Sequence, residues 1–203
     1  MKIYRLMGLA VAVLHLAAPA WAQQPGGNAA RAQVSEAALA KALVKANTPG
    51  PGQARLEPMI GTFDVKMKIW LGPDQPPIDA QGSCVNVWVL DHRYIQIMLS
   101  ANVLGEPFNG IGYVAYDNVG KNYQIAWLDA GSTAMTLYRG GFAGATKSAS
   151  LKASVLNPLT AKPTPLELRV SILDNGDHMS ELWGQGAGSK MFKMMELHYT
   201  RAK

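Results

Sequence analysis

The sequence contains a single cysteine, Cys84, in 203 residues, so no disulfide can form within one chain. The fold must therefore be held by an apolar core, and a hydrophobic content of 48% is sufficient for one. Cys84 lies in a β-like run over 83–87, and free cysteine is among the most buried residue types. We expect a buried, unreactive thiol, because no motif places His92, His178 or His198 beside it as a base.

Charged residues are also few, at 16% of the chain. The formal net charge is +5, but Lys2 and Arg5 lie in a segment that we expect to be removed. Without them, 17 basic residues stand against 14 acidic ones, a net charge of +3. A nucleic-acid-binding surface normally clusters its lysines and arginines on one element, so we expect no nucleic-acid partner.

Motifs of several enzyme and metal-site classes are missing. The chain has no Gly-x-Ser-x-Gly, no His-Glu-x-x-His and no Cys-x-x-Cys. A glycine-rich segment at 140–144 lies between two predicted strands rather than before a helix, which is typical of a loop or bulge and not of a phosphate site. We therefore predict no catalytic residues and no metal ligands, and we favour a role other than catalysis.

The first 22 residues have the organisation of a secretory signal peptide. Two basic residues precede an apolar run over 6–18 and a small-x-small site over 20–22. A membrane anchor, the alternative, needs roughly 20 apolar residues, whereas this run is shorter and contains His15. We predict cleavage after Ala22 and a periplasmic or secreted product that begins at Gln23, with no membrane span.

Residues 23–53 are predicted to hold a flexible leader and a single helix. Gln, Pro, Gly and Asn are frequent in residues 23–32, a composition that buries too little apolar surface to order itself. Residues 35–45 follow, with Ser35 as a helix cap and with alanine, leucine and lysine as strong helix formers. The prolines of segment 47–52 end the helix, because proline lacks the amide hydrogen that would continue it.

After residue 53, short apolar runs alternate with Gly, Asn and Asp, a pattern typical of consecutive strands joined by tight turns. In residues 166–172 every second position is apolar, which predicts one buried and one solvated face. The Asn175-Gly176 pair favours a tight hairpin turn. Ten strands are predicted: 61–71, 78–90, 93–99, 108–116, 123–128, 133–140, 148–156, 166–173, 179–183 and 190–200.

Ten antiparallel strands in an open sheet would leave two free edges, which invite aggregation. We therefore predict an all-β domain over residues 54–203, closed into an antiparallel up-and-down barrel of roughly ten strands with one N-terminal helix. A two-sheet sandwich is the alternative. Residues 157–165 contain Pro158, Pro163 and Pro165, so we predict a longer loop there rather than a central strand.

Several short motifs occur in a particular order along the chain. They are Leu56-Glu57-Pro58-Met59-Ile60-Gly61-Thr62-Phe63, Trp88-Val89-Leu90-Asp91-His92-Arg93-Tyr94, Pro107-Phe108-Asn109-Gly110-Ile111-Gly112, Tyr116-Asp117, Trp127-Leu128-Asp129 with Thr133, and Lys193-Met194-Met195-Glu196-Leu197-His198-Tyr199-Thr200-Arg201. Their order resembles the bacterial family catalogued as domain of unknown function 1579. The resemblance implies a lipocalin-like, calycin-type barrel, with Phe63 in the aromatic position of the first strand, and it implies no activity.

A more distant architectural likeness is to nitrobindin, a barrel that holds haem through a histidine near its C-terminus. His198 lies near the end of this chain on a predicted strand, so the likeness implies haem bound through His198 as one alternative. A surface histidine or a hydrogen-bonded core histidine is the other. We expect no cofactor.

A small-molecule pocket usually combines apolar walls with a few polar anchors, and several side chains here suit that description. Arg93 and nearby Trp88 supply an anchor and a wall, while core filling is the alternative role for the aromatic and methionine residues. On the last strand, Glu196 and His198 share one face, which points either inward to a ligand or outward to solvent. The candidate ligand-binding residues are Trp88, Arg93, Tyr116, Trp127, Met135, Glu196 and His198.

We predict that the protein is an exported, soluble barrel and that its function is to bind a small, largely apolar ligand in the barrel or at its mouth. One alternative is a structural or protein-interaction module with a packed core, in which the helix caps the barrel or docks on a partner. The other is an enzyme that uses Arg93, Glu196 and His198 on a hydrophobic substrate. The sequence predicts no oligomeric state.

Overall fold

The computed structural model describes residues 35–186 and 190–203. The predicted signal peptide and flexible leader lie outside the described residues. Residues 36–203 form one compact unit with two helices and a 3-10 turn, followed by ten strands. The elements are α1 (Glu36–Asn47), α2 (Pro51–Ala54), the 3-10 turn (Glu57–Met59), β1 (Gly61–Ile69), β2 (Ile78–Val89), β3 (Tyr94–Val103), β4 (Glu106–Asp117), β5 (Asn122–Asp129), β6 (Thr136–Phe142), β7 (Ser148–Leu156), β8 (Pro163–Ile172), β9 (His178–Gln185) and β10 (Met191–Arg201).

Each strand pairs with the next in antiparallel fashion, and the first strand pairs with the last to close the barrel. Phe63 of β1, for example, lies opposite Cys84 of β2 on one side and Arg201 of β10 on the other. The predicted ten-stranded barrel is confirmed, and the alternative of two separate sheets is wrong. Closure satisfies the hydrogen-bonding groups that an open sheet would expose at its edges.

The interior face of the barrel follows the alternation seen in the sequence. On β8, Val170 and Ile172 are buried, and Leu166 and Leu168 pack against the same core, as predicted. The last strand departs from strict alternation, because a register shift occurs between Lys193 and Met195. A bulge of this kind turns one side chain to the other face, so the lysine points outward although simple alternation groups it with the inward methionine.

The predicted loop over 157–165 is wrong at its C-terminal end, because β8 already begins at Pro163. Pro163 and Pro165 lie opposite residues of β7, whereas pairing with β9 starts only at Leu166. The prolines therefore occupy a stretch that is bonded on one side only, where a missing amide hydrogen costs little.

The N-terminal helices differ from each other in their packing. Helix α1 buries none of its residues, so it does not cap the barrel. A second helix begins directly at Pro51, a residue that suits the first helical position although it cannot continue a helix. Gln53, Leu56 and Met59 in this following segment are buried. Within the described residues, no helix is long and apolar enough to cross a membrane.

Candidate functional site

The two ends of the barrel are built differently. At one end, the mouth, the loops 70–77, 104–105, 130–135 and 157–162 connect the strands. At the other end, the floor, residues 50–60 lie across the barrel, and we call this segment the plug. The plug is buried at Leu56 and Met59, whereas lining residues at the mouth include the exposed side chains of Met135 and Leu156.

Hydrogen bonds from the strands fix the plug. The Asn86 amide donates to the Met59 carbonyl at 2.8 Å, and the Tyr123 hydroxyl donates to the Gly52 carbonyl at 2.8 Å. Gln53 of the plug donates to the Tyr116 carbonyl at 3.0 Å. These bonds join the plug to three different strands, so the plug is held against the barrel from several sides.

Two arginines also attach the plug to the barrel, Arg201 from strand β10 and Arg55 from the plug itself. Arg201 donates to the carbonyls of Pro58 and Ile60, each at 3.0 Å, and its guanidinium lies 5.1 Å from the ring centre of Phe63. Arg55 donates to carbonyls of the β6–β7 loop and stacks on an aromatic ring of β6. Planar guanidinium groups suit such combined stacking and multiple hydrogen bonding.

Between the mouth and the plug lies a cavity of about 590 Å³. Its lining is predominantly apolar, and among the described residues that line it the only formally charged side chain is Asp129. The apolar lining comes from all parts of the barrel wall and includes Leu56, Met59, Ile97, Leu99, Phe108, Val114, Ile125, Trp127, Met135, Leu151, Leu166, Leu168, Val170, Leu182, Met195 and Leu197. The interior is therefore a hollow rather than a filled core.

Trp127 forms one wall of the cavity, and two glycines of β4 make room for it. A Cβ atom on Gly110 would lie 2.3 Å from the indole ring, and one on Gly112 would lie 2.9 Å from it. The indole nitrogen donates to Asp129 Oδ2 at 2.8 Å, and Asp129 Oδ1 accepts from the amide of Gly131 at 2.9 Å. The carboxylate at the mouth thus fixes the orientation of this wall.

Polar groups collect at the floor of the cavity, beside the plug. The ring of His178 stacks on Tyr199 with centres 4.2 Å apart, and it meets the edge of Phe63 at 4.6 Å. The Ser180 hydroxyl lies 3.5 Å from the Tyr199 hydroxyl. His178, Ser180 and Tyr199 all line the cavity.

His178 is buried, with 3% of its surface exposed, and its Nδ1 atom has no hydrogen-bond partner within the described residues. Burial lowers the pKa of His178 to about 4; nearby Asp177 opposes this shift and Arg201 adds to it. The imidazole is consequently neutral at physiological pH, with one nitrogen that donates and one that accepts.

Cys84 is fully buried and free, as the sequence predicts. Its thiol donates to Asn86 Oδ1 at 3.2 Å. Burial raises the pKa of the thiol to about 12. The reactive thiolate is therefore scarce at neutral pH, in agreement with the predicted unreactive role.

Of the seven candidate ligand-binding residues, Trp127 and Met135 line the cavity and five do not. Three of the five lie at the floor end of the barrel. Trp88 donates to Glu57 Oε2 at 2.8 Å, and the Tyr116 ring lies over Gly52 of the plug. Arg93 donates to the Leu90 carbonyl of its own turn at 3.2 Å.

Glu196 and His198 lie on the outer face of β10, the outward alternative of the sequence analysis. His198 Nε2 lies 2.9 Å from Glu196 Oε1, and the same carboxylate pairs with Lys193. The hydrogen bond from Lys193 is the main cause that lowers the pKa of Glu196. His198 does not reach the cavity, and Arg93 lies in a turn on another element, so the three residues do not form one site.

The floor residues His178, Ser180 and Asn86 are not among the candidate residues that the sequence predicts. The predicted ninth strand began at Met179, one residue too late to include the histidine. Alternation from Leu182 back through Ser180 to His178 would have placed the histidine on the inner face. No group of three metal-ligating side chains occurs in the described part of the chain.

Comparison with known proteins gives a family and a fold. The family model described as "Protein of unknown function (DUF1579)" matches residues 48–201. No curated protein matches the chain. The crystal structure of Rv2717c from M. tuberculosis matches with a TM-score of 0.59 and 15% sequence identity, and the match covers 77% of this chain and 100% of that chain. At this identity, the similarity shows a shared fold alone.

Proposed function

Since the chain belongs to the DUF1579 family, which is described only as being of unknown function, we propose its function from the barrel interior: it is exported and binds one small, largely apolar molecule there. The cavity of about 590 Å³ is the observation that carries the proposal. Its size falls within the range of roughly 300–1,000 Å³ that is usual for small-molecule sites.

The character of the lining supports an apolar ligand. A packed barrel of ten strands would fill its interior with side chains, but here Leu, Ile, Val and aromatic residues surround empty volume. Apolar cavities are poor sites for water and readily take apolar molecules. The mouth provides access, because lining residues there, such as Met135 and Leu156, are exposed.

Export is proposed from the N-terminal sequence. The positive end, short apolar run and small-x-small site of residues 1–22 support cleavage after Ala22. A protein in the periplasm or outside the cell meets ligands from the envelope or the environment, which is compatible with an apolar cargo.

The proposal is tested by titrating the protein with N-phenyl-1-naphthylamine, an uncharged dye whose fluorescence rises in apolar surroundings. Leu166→Trp fills part of the cavity, since Leu166 lines it from β8. Leu137→Trp is the matched control, because Leu137 is 63% exposed and outside the lining. We expect about tenfold weaker binding for Leu166→Trp and unchanged binding for Leu137→Trp. Equal binding by both variants would place the dye on the outer surface and contradict the proposal.

A further inference from the structure

The floor of the cavity contains hydrogen-bonding groups that the barrel itself leaves unused. His178 is buried, with 3% of its surface exposed, and its Nδ1 atom has no hydrogen-bond partner in the described residues. The hydroxyls of Ser180 and Tyr199 contact each other only at 3.5 Å, the long limit of a hydrogen bond. A buried polar group without a partner is costly, so such groups call for a partner that enters the site.

The other polar side chains at the floor are already occupied. Asn86 donates to the carbonyl of Met59 and accepts from the thiol of Cys84. Asn86 therefore holds the plug, and its side-chain oxygen is already engaged by Cys84. The free hydrogen-bonding capacity at the floor is that of His178, Ser180 and Tyr199, which all line the cavity.

The absence of positive charge among the described lining residues restricts which chemical group of a ligand can bind at the floor. No lysine or arginine is among the described residues that line the cavity, and the charged Asp129 lies at the mouth, bonded to Trp127. The imidazole of His178 is neutral, so it does not provide a cation either. A carboxylate or phosphate would be buried without a counter-charge, which is strongly unfavourable.

We propose that the floor binds the hydroxyl group of an otherwise apolar, uncharged ligand, with His178, Ser180 and Tyr199 as its hydrogen-bond partners. A hydroxyl both donates and accepts, so it can donate to the accepting nitrogen of the neutral imidazole while its oxygen accepts from the hydroxyl of Ser180 or Tyr199. The remainder of the ligand lies along the apolar wall between the floor and Trp127. This inference rests on the proposed function and specifies the chemical class of the ligand.

The test uses three probes of one chain length, 1-dodecanol, dodecane and dodecanoate, each displacing N-phenyl-1-naphthylamine at pH 7.5. We expect 1-dodecanol to bind about tenfold more tightly than dodecanoate in the unmodified protein. His178→Phe keeps an aromatic ring on Tyr199 but removes both nitrogens, so it loses about tenfold in affinity for 1-dodecanol and little for dodecane. His198→Phe, the same exchange on the outer face, leaves all three affinities unchanged.

The inference is overturned if dodecanoate binds as well as 1-dodecanol, or if His178→Phe keeps the full preference for the alcohol over the alkane. Should His178→Phe fail to fold, Ser180→Ala provides the same comparison with a smaller change in volume. The imidazole nitrogen NMR shifts of His178 add a direct reading, because they must move with 1-dodecanol and not with dodecane. If the dye and all three probes fail to bind, the proposed function is wrong. If all three probes bind equally, only the proposed hydroxyl site is wrong.

Discussion

His178 combines deep burial with an ionisable ring, and this combination links the stability of the barrel to pH. The pKa of His178 is lowered to about 4 in the folded protein, mainly by burial, from an ordinary value of 6.5. As the pH falls below 6.5, the unfolded chain takes up a proton that the folded chain does not accept until about pH 4. The stability contribution is therefore present above pH 6.5 and is lost between pH 6.5 and 4.

We expect the free energy of unfolding to decrease by about 2 kcal/mol between pH 7 and pH 5, since each pKa unit corresponds to about 1.4 kcal/mol. Urea unfolding at the two pH values measures the change. In His178→Phe the decrease should vanish, and in His198→Phe it should remain. The carboxyls whose pKa is lowered, such as Glu167 and Glu196, lose most of their contribution below their ordinary pKa of 4.5, so they add little to the change at pH 5. An equal decrease in both variants would contradict this assignment.

Gly110 and Gly112 lie against the Trp127 ring, so a larger side chain at either position should disturb its packing. In Gly110→Ala, the new methyl group meets the indole at 2.3 Å, so either the ring or strand β4 must move. We expect a loss of about 1–3 kcal/mol in the free energy of unfolding, together with a change in tryptophan emission. Gly141→Ala is the matched control, because no heavy atom lies within 4 Å of its Cβ position. A loss of similar size in the control would mean that strand propensity, not the tryptophan, explains the effect.

At the scale of the elements, the plug is the part of the fold that makes the floor of the cavity. Arg201 connects the end of β10 to the plug by two hydrogen bonds to the carbonyls of Pro58 and Ile60. We expect Arg201→Ala to lower the free energy of unfolding by about 2 kcal/mol, from the lost hydrogen bonds and the lost stacking on Phe63.

Hydrogen exchange distinguishes a loosened plug from a weakened barrel in the Arg201→Ala variant. The amides of Met59 and Ile60, which bond to carbonyls within the plug, should exchange faster, while amides in β4 and β5 keep their protection. Lys203→Ala serves as control for loss of a nearby positive charge. Uniformly faster exchange across the barrel would contradict a local role for Arg201.

The sequence predicts the strands well but does not predict the plug. Alternation as clear as that of residues 166–172 reports directly which face is buried, so the barrel followed from it. The plug consists of a four-residue helix and a 3-10 turn around Pro51 and Pro58, too short to show any periodicity. Its position is set by long-range bonds from Asn86 and Arg201, which a local pattern does not contain.

The sequence predicts only part of the candidate site, because the inward or outward direction of a side chain depends on where its strand begins and on bulges within it. The sequence predicts Trp127 and Met135 as ligand-binding residues, and both line the cavity. Glu196 and His198 are candidates because they share a face of the last strand. The sequence does not indicate whether that face points inward, because the bulge at Lys193 interrupts the alternation of apolar and polar residues. His178 was missed because its inward position depends on where β9 begins, and strand ends are the least certain part of a sequence prediction.

Taken as a whole, the barrel is closed by its plug at one end and open at the other, and its interior is hollow. The interior is apolar along its walls, while its hydrogen-bonding groups are concentrated at the floor and at the mouth. Such an arrangement suits a molecule that enters with its polar end first. The candidate residues on the outer face, Glu196 and His198, contact each other and not the cavity.

Native mass spectrometry of the protein purified from its own cells shows whether the barrel holds a ligand. We expect a chain that begins at Gln23 and carries one non-covalent small molecule, which is released when the protein is denatured and is bound at clearly lower occupancy in Leu166→Trp. Leu137→Trp should retain the added mass. A chain that carries no added mass and binds no N-phenyl-1-naphthylamine, or an added mass whose occupancy in Leu166→Trp equals that in Leu137→Trp, would contradict a ligand held inside the barrel.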